Sequence, residues 1–351
     1  MRKRISILLV TMLIPVALAA CSQQADIGKE GTKQTVRDNI GTMQSDTVQS
    51  TVVPDGPTDT TDTTDGGSTD SPGNDTVDSG EQNDTSVGSD YDKIMADTEV
   101  STAQMLAYIR ENSGKLSDEQ AVNLVLKLEQ LQMDGLSAMT DRYFDVDHSE
   151  LLVDNVYDYE TGEINIDSIN NESFREVLAD IQRNGYKIET AEGSSFPVID
   201  YSIYENFSWM LPEDLKSYFS LMAVESGKKP ASDGGLVIGW DDVLNRAIAQ
   251  EQFILKYGHS QKLNDAKKLY WKYINFIFDG SSLPNAEHFA YDTKTLEPRL
   301  KESLVKAAAR NGDSPLEKTI SEYLEILKKN KYKLTAEVKQ FREKAVTTLS
   351  K

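Results

Sequence analysis

Apolar residues recur at helical spacing through most of the chain after residue 91, and the period drops to two in only two short stretches. Residues 100–111 are predicted to form a helix. Ser117 opens a longer one, with Gln120 three residues on completing a capping box and Leu124, Leu128, Leu131 and Leu136 supplying a core stripe. Over residues 153–166 the pattern alternates, with Val153, Asn155, Tyr157 and Tyr159 on one side and Val156 on the other. Thr161-Gly162 then turns the chain toward Ile164 and Ile166, which predicts a hairpin. A helix over residues 172–184 is stopped by Gly185, and residues 186–190 are expected to pair with 196–201 across 191–195.

The remainder reads as almost wholly helical. Pro212 marks a helix start and Gly227 its end, while Asp241 or Asp242 is expected to cap a helix that runs through Tyr257 to Gly258. Residues 264–278 are apolar at Ala266, Leu269, Tyr270, Tyr273, Ile274 and Ile277, with Trp271, Phe276 and Phe278 on other faces, the pattern of a helix near the centre of a fold. Ser314-Pro315-Leu316-Glu317 combines an N-cap, a proline in the first helical position and a carboxylate three residues after the cap, and Thr335 begins the last helix. No fixed-period repeat occurs, so a solenoid is unsupported. The expected fold class is mainly α: a single multi-helix domain over residues 91–351 with one or two small β-hairpins, following a disordered linker, with a point of division near Gly234-Gly235.

No Phe, Tyr or Trp precedes Tyr91 in the 351 residues, so the chain before it lacks the apolar surface needed to offset its own entropy. Residues 22–90 hold 14 acids against Lys29, Lys33 and Arg37, and runs such as Thr58-Asp59-Thr60-Thr61-Asp62 have the composition of a solvated spacer. A flexible chain of that length has a root-mean-square span of about 45 Å. Residues 91–351 are acidic too, with 43 acids against 31 bases. This balance argues against a nucleic-acid partner, whose phosphates are neutralised by Lys and Arg.

The first 20 residues have a different character. Arg2, Lys3 and Arg4 precede an apolar run over residues 5–18 that is too short for comfortable spanning, and Leu18-Ala19-Ala20-Cys21 follows. The arrangement is that of a signal peptide, and these four residues resemble the lipobox of bacterial lipoproteins. The resemblance covers this terminal segment alone. It implies that the Cys21 thiol receives a diacylglyceryl group, that cleavage follows Ala20, and that the mature chain is anchored on the extracytoplasmic face of the cell membrane. Cys21 is the only cysteine, so an attachment point explains it better than a disulfide. The domains read as a signal peptide over 1–20, a lipid-anchored linker over 21–90 and a helical extracytoplasmic domain over 91–351.

Catalytic chemistry is hard to find. His148, His259 and His288 lie far apart and read as surface or loop residues, not as a zinc set. Asp145-Val146-Asp147-His148-Ser149-Glu150 resembles the start of a calcium loop, but Glu150 stands where the turn glycine belongs and Val156 where the bidentate Glu belongs. No nucleophile elbow or phosphate loop is present, so no catalytic residue, metal site or cofactor is expected. The segment that concentrates recognition chemistry is 192–209. It places Glu192, Asp200 and Glu205 beside Phe196, Tyr201, Tyr204, Phe207 and Trp209, and Trp240-Asp241-Asp242 is a further stretch that the fold could bring near. Aromatic faces beside carboxylates suit sugars, peptides or cationic ligands, and the same pattern serves a core with tyrosine hydroxyls at its edge. Glu192, Asp200, Tyr201, Tyr204, Glu205 and Trp209 are therefore the candidate ligand-binding residues. The expected function is display of a noncatalytic binding domain, facing an envelope polymer, peptide or protein. The alternatives are an envelope hydrolase whose carboxylates meet only in the fold, or an assembly factor.

Overall fold

The computed structural model describes residues 84–351 except 154, 155, 159, 160 and 192. The signal segment, Cys21 and nearly all of the spacer therefore lie outside the described residues. The described chain is mainly helical, with two small antiparallel two-stranded sheets. Among the described residues no helix is long and apolar enough to cross a membrane.

The amino-terminal half is organised around one long helix. A first helix α1 (Asp84–Ala96), which the spacing did not announce, is closed by Lys127, whose ammonium donates to the carbonyls of Ile94, Met95 and Asp97 at 2.9–3.1 Å. Helices α2 (Thr102–Asn112) and α3 (Asp118–Phe144) both begin with complete capping boxes, Ser101 with Gln104 and Ser117 with Gln120. At 1.5 Å per residue α3 extends about 40 Å. Its Leu124, Val125 and Leu128 are fully buried against α2, and Leu131 and Leu136 are partly buried. Helix α4 (Glu172–Arg183), capped by Asn171, leads through Gly185 into β1 (Tyr186–Ala191) and β2 (Ser194–Ile199). The strands pair with Tyr186 opposite Ile199 and Glu189 opposite Phe196, across a turn shorter than the expected 191–195. Tyr186, Ile188, Ser195 and Ile199 face inward, and Tyr143 on α3 shares a 2.7 Å hydrogen bond with Ser195.

Two expectations need correction here. Of the hairpin over 153–166, the described residues form no named strand but keep an antiparallel bridge between Tyr157 and Ile164, with backbone hydrogen bonds from Asp158 to Glu163 and from Asn165 to Val156, set between 3₁₀ turns at Ser149–Leu152 and Ile166–Ser168. Adjacent Val156 and Tyr157 are both buried, whereas a half-solvated strand would turn one of them outward. The pairing of 196–201 stops at Ile199, because Asp200 caps a ten-residue 3₁₀ helix, Tyr201–Met210. Three residues per turn align Tyr201, Tyr204, Phe207 and Met210 in one row, and all four are buried.

A second apolar cluster gathers residues from Ile238 onward, while Leu215, Tyr218 and Phe219 of the next helix still belong to the first. Helix α5 (Glu213–Gly227) follows Pro212, and a short hairpin of β3 (Ala231–Ser232) and β4 (Gly235–Leu236) connects it to α6 (Trp240–Lys256). Helix α6 corrects the expected cap: Gly239 holds the N-cap position, and burial of Trp240 starts the helix one residue before Asp241. Asp241 and Asp242 instead lie in the first turn, favourable to the helix dipole, and Asp241 pairs with Lys306 at 2.9 Å. Helix α7 (Leu263–Ile274) passes into a π-helical turn, Asn275–Asp279. The wider turn lets the consecutive Phe276, Ile277 and Phe278 all be buried, while Trp271, expected centrally, is 53% exposed. Helices α8 (Pro298–Ala308), α9 (Pro315–Lys329) and α10 (Ala336–Leu349) complete the cluster; Ser314 with Glu317 forms a capping box and Thr335 caps α10 as expected.

Gly185 joins the two layers of the amino-terminal half. Its φ of +72° is left-handed, and a Cβ there would lie 2.5 Å from Gln132 Nε2 and 2.6 Å from Ile203 Cδ1. Gly185→Ala should therefore destabilise the domain by about 2–4 kcal/mol, combining the dihedral cost with overpacking. Chemical denaturation measures it, and a change below about 1 kcal/mol would show that the backbone there relaxes freely.

Candidate functional site

Glu129 is fully buried on α3, with Gln132 one turn further along the same face. Tyr201 and Tyr218 each donate a hydrogen bond of 3.1 Å to Glu129 Oε1, and Lys262, just ahead of α7, forms an ion pair with Oε2. The Lys262 ammonium also lies 5.3 Å from the centroid of the Tyr218 ring. Gln132 accepts a hydrogen bond from Tyr204 and donates to the carbonyls of Gly185 at 2.8 Å and Asn184 at 3.1 Å. Burial pushes the Tyr201, Tyr204 and Tyr218 hydroxyls well above the usual phenol range, with the Glu129 charge adding to each, so all three stay protonated donors. Burial likewise raises Tyr186 to about 12; its hydroxyl donates to the Gln132 carbonyl at 2.7 Å.

Above this cluster lies an open groove of about 540 Å³. The outward face of β1–β2 gives one wall through Glu189, Phe196 and Val198, and α5 gives another through Met222, Glu225 and Ser226, with residues 229–233 at the rim. The apolar floor is flanked by paired charges. Glu189 lies 3.2 Å from Lys229, whose ammonium also donates to the Thr190 carbonyl. Glu225 lies 2.9 Å from Lys272 and 3.2 Å from Arg246, and accepts a hydrogen bond from Tyr273. A cleft of this volume with a few fixed polar groups suits a small ligand or a short peptide segment.

Of the residues singled out in sequence, Tyr201 lines this groove while its hydroxyl reaches Glu129 below. Phe196 from the same segment lines it too. Tyr204 is buried beneath, stacked on Phe219 at 4.2 Å. Asp200 spends its carboxylate on the Ser202 amide and hydroxyl at 3.1 and 2.7 Å. Glu205 is exposed, Trp209 is 62% exposed, and neither lines the groove; Glu192 lies outside the described residues. Trp240 belongs to the second cluster, against His288. Glu189, Glu225, Lys229 and Lys272 were not anticipated. Glu225 had a signal, since it follows Tyr218 by seven residues and Met222 by three on one helical face. Glu129 had the same signal, one turn after Val125 in the core stripe of α3.

The segment that resembled the start of a calcium loop turns two of its carboxylates to the backbone: Asp147 accepts the Ser149 amide at 3.0 Å, and Glu150 accepts the amides of Asn170 and Asn171. Among the described residues no group of three or more His, Cys, Asp and Glu side chains is gathered closely enough to hold a metal ion. His259 is exposed and His148 half-buried, but His288 departs from an exposed position: it is 5% exposed. Its Nε2 lies 2.7 Å from the Phe276 carbonyl and its Nδ1 3.1 Å from Arg342 Nη2, so Nε2 carries the proton and Nδ1 accepts. Burial, reinforced by the Arg342 charge, lowers its pKa to about 4.

Two outcomes follow from these groups. Lys262→Met strands the Glu129 charge in the core and should cost about 3–5 kcal/mol, whereas adding Glu129→Gln should recover part of that loss in denaturant unfolding. Equal stability of the single and double variants would refute the coupling. For His288 the unfolded chain binds the extra proton between its ordinary value of 6.5 and the folded value of about 4. Stability from neutral His288 is thus fully present above pH 6.5 and lost as the pH falls toward 4, by an amount on the order of 3 kcal/mol. His288→Asn should flatten the acid limb of the stability–pH curve by that amount, and an unaltered limb would contradict it.

Compared with known protein families, curated proteins and solved structures, the chain matches none.

Proposed function

We propose that this chain is an exported lipoprotein, held on the extracytoplasmic face of the cell membrane by acylated Cys21, and that its helical domain binds an envelope ligand in the groove between β1–β2 and α5. The observation that carries the anchor is Leu18-Ala19-Ala20-Cys21, placed directly after a basic and apolar segment in a chain with no second cysteine. Two acyl chains suffice for stable attachment, since each buried methylene contributes about 0.8 kcal/mol. The acidic spacer then holds the domain at a distance set by its own self-repulsion.

A binding role is supported by how the groove is made. Its walls are apolar and partly exposed at Phe196, Val198 and Met222, and its charged groups are paired at the rim, so a ligand gains by covering apolar surface and by exchanging ion-pair partners. A peptide or an amino-sugar polymer carrying both charges has that chemistry. Three carboxylates of low exposure hold fixed partners: Glu129 with Lys262 and two tyrosines, Glu225 with Arg246 and Lys272, and Glu251 with Tyr270 and the amide that opens α9.

In cells, labelled palmitate should enter the protein, and Cys21→Ala should abolish both the label and detergent-phase partition; labelling that survives the substitution overturns the anchor. For the groove, thermal shift against peptidoglycan fragments, acidic and basic peptides and amino sugars should find a stabilising class. Phe196→Ser should remove at least tenfold of its affinity, and a ligand bound equally by that variant would place recognition elsewhere.

A further inference from the structure

The outward face of α7 carries a second surface with different chemistry. Lys267, Lys268, Trp271 and Lys272 fall at i, i+1, i+4 and i+5, which sets them on one side of the helix. The two lysines at 267 and 268 are exposed, as is Trp271. With Ile254 on α6 and Leu349 and Lys351 at the end of α10, they surround an apolar hollow of about 530 Å³. The local charge runs against the rest of the domain. Residues 263–272 contain three lysines, Lys267, Lys268 and Lys272, and a single acid, Asp265, which pairs with Lys268 at 3.0 Å. Lys272 shares Glu225, and among the described residues no carboxylate pairs with Lys267.

We propose that this face docks the domain onto an anionic phospholipid surface. An indole with one polar edge, flanked by long amphipathic lysines, is the side-chain set that settles at a lipid–water boundary. Every cation here is lysine and none is arginine. A lysine beside an anionic surface gains from its potential as a point charge without bidentate geometry, whereas the buried centres of protein interfaces favour arginine and are depleted in lysine. The acidic remainder of the domain does not prevent approach, because charges beyond about 8 Å are screened at physiological ionic strength. The proposal rests on the lipid-anchor reading for its biological setting: a domain tethered to the membrane meets it as an intramolecular partner, so even a weak contact is populated.

The test uses the chain from residue 21 onward carrying Cys21→Ala, so that neither signal segment nor acyl group contributes. It should co-sediment with vesicles of phosphatidylglycerol and phosphatidylcholine and not with phosphatidylcholine alone. Tryptophan emission should shift to the blue on binding. That shift should persist in Trp209→Phe and vanish in Trp271→Phe, which separates this surface from the other exposed tryptophan. Lys267→Gln with Lys268→Gln should weaken vesicle affinity about 25-fold, roughly fivefold per lysine, with an unchanged thermal midpoint. Absent sedimentation, equal binding to both vesicle types, or capture by polyglutamate but not by vesicles would each overturn the proposal. Because the assay chain carries no lipid, failure here is distinguishable from failure of palmitate labelling.

Discussion

The described fold depends most on how one buried carboxylate is neutralised. Glu129 sits in the middle of α3, and leaving its charge alone in the core would cost several kcal/mol. Its partners come from three places in the chain: Tyr201 from the 3₁₀ helix, Tyr218 from α5 and Lys262 from the entrance to α7. Satisfying that charge fixes the three elements against α3 at once. A nonpolar core would be as stable or more so, since burying an ion pair roughly cancels its own gain, but it would not specify which elements meet.

Glu225 repeats the device at the border of the two apolar clusters. It draws Arg246 from α6 and both Lys272 and Tyr273 from α7 to the end of α5, where the groove opens. Beneath the groove the first apolar cluster is continuous from Tyr186, Ile188 and Ile199 to Tyr201, Tyr218 and Met222, and the ion pairs add fixed charge at its rim. The groove is also where the two exposed chemistries of the domain adjoin, since Lys272 both pairs with Glu225 and belongs to the lysine–tryptophan face of α7.

Much of the local structure was legible because local signals coincide. The capping boxes at Ser117 and Ser314, the cap at Thr335, the stop at Gly185 and the pairing of residues 186–190 with the strand after them each depend on side chains within a few residues of the element they define. The misses have physical causes of the same scale. Val156 and Tyr157 look alternating in sequence but are both drawn inward, and the start of α6 is set by the burial of Trp240, which outweighs capping by Asp241. Of the site, Tyr201 and Phe196 were legible as aromatic residues in an acidic segment, while Asp200, Glu205 and Trp209 shared the composition without sharing the location.

The sequence by itself determined the mainly helical class, the positions of most helix ends and the segregation of all aromatic residues behind a long acidic stretch, because each is a property of neighbouring residues or of composition. Only the tertiary structure decided which charges are buried and what they meet. Glu129 and Lys262 are 133 positions apart, Glu225 and Lys272 are 47 apart, and nothing in the local chain of either partner encodes the other. The sign, depth and partner of a buried charge are set by the packing of whole helices, and the groove exists only where that packing leaves two elements apart.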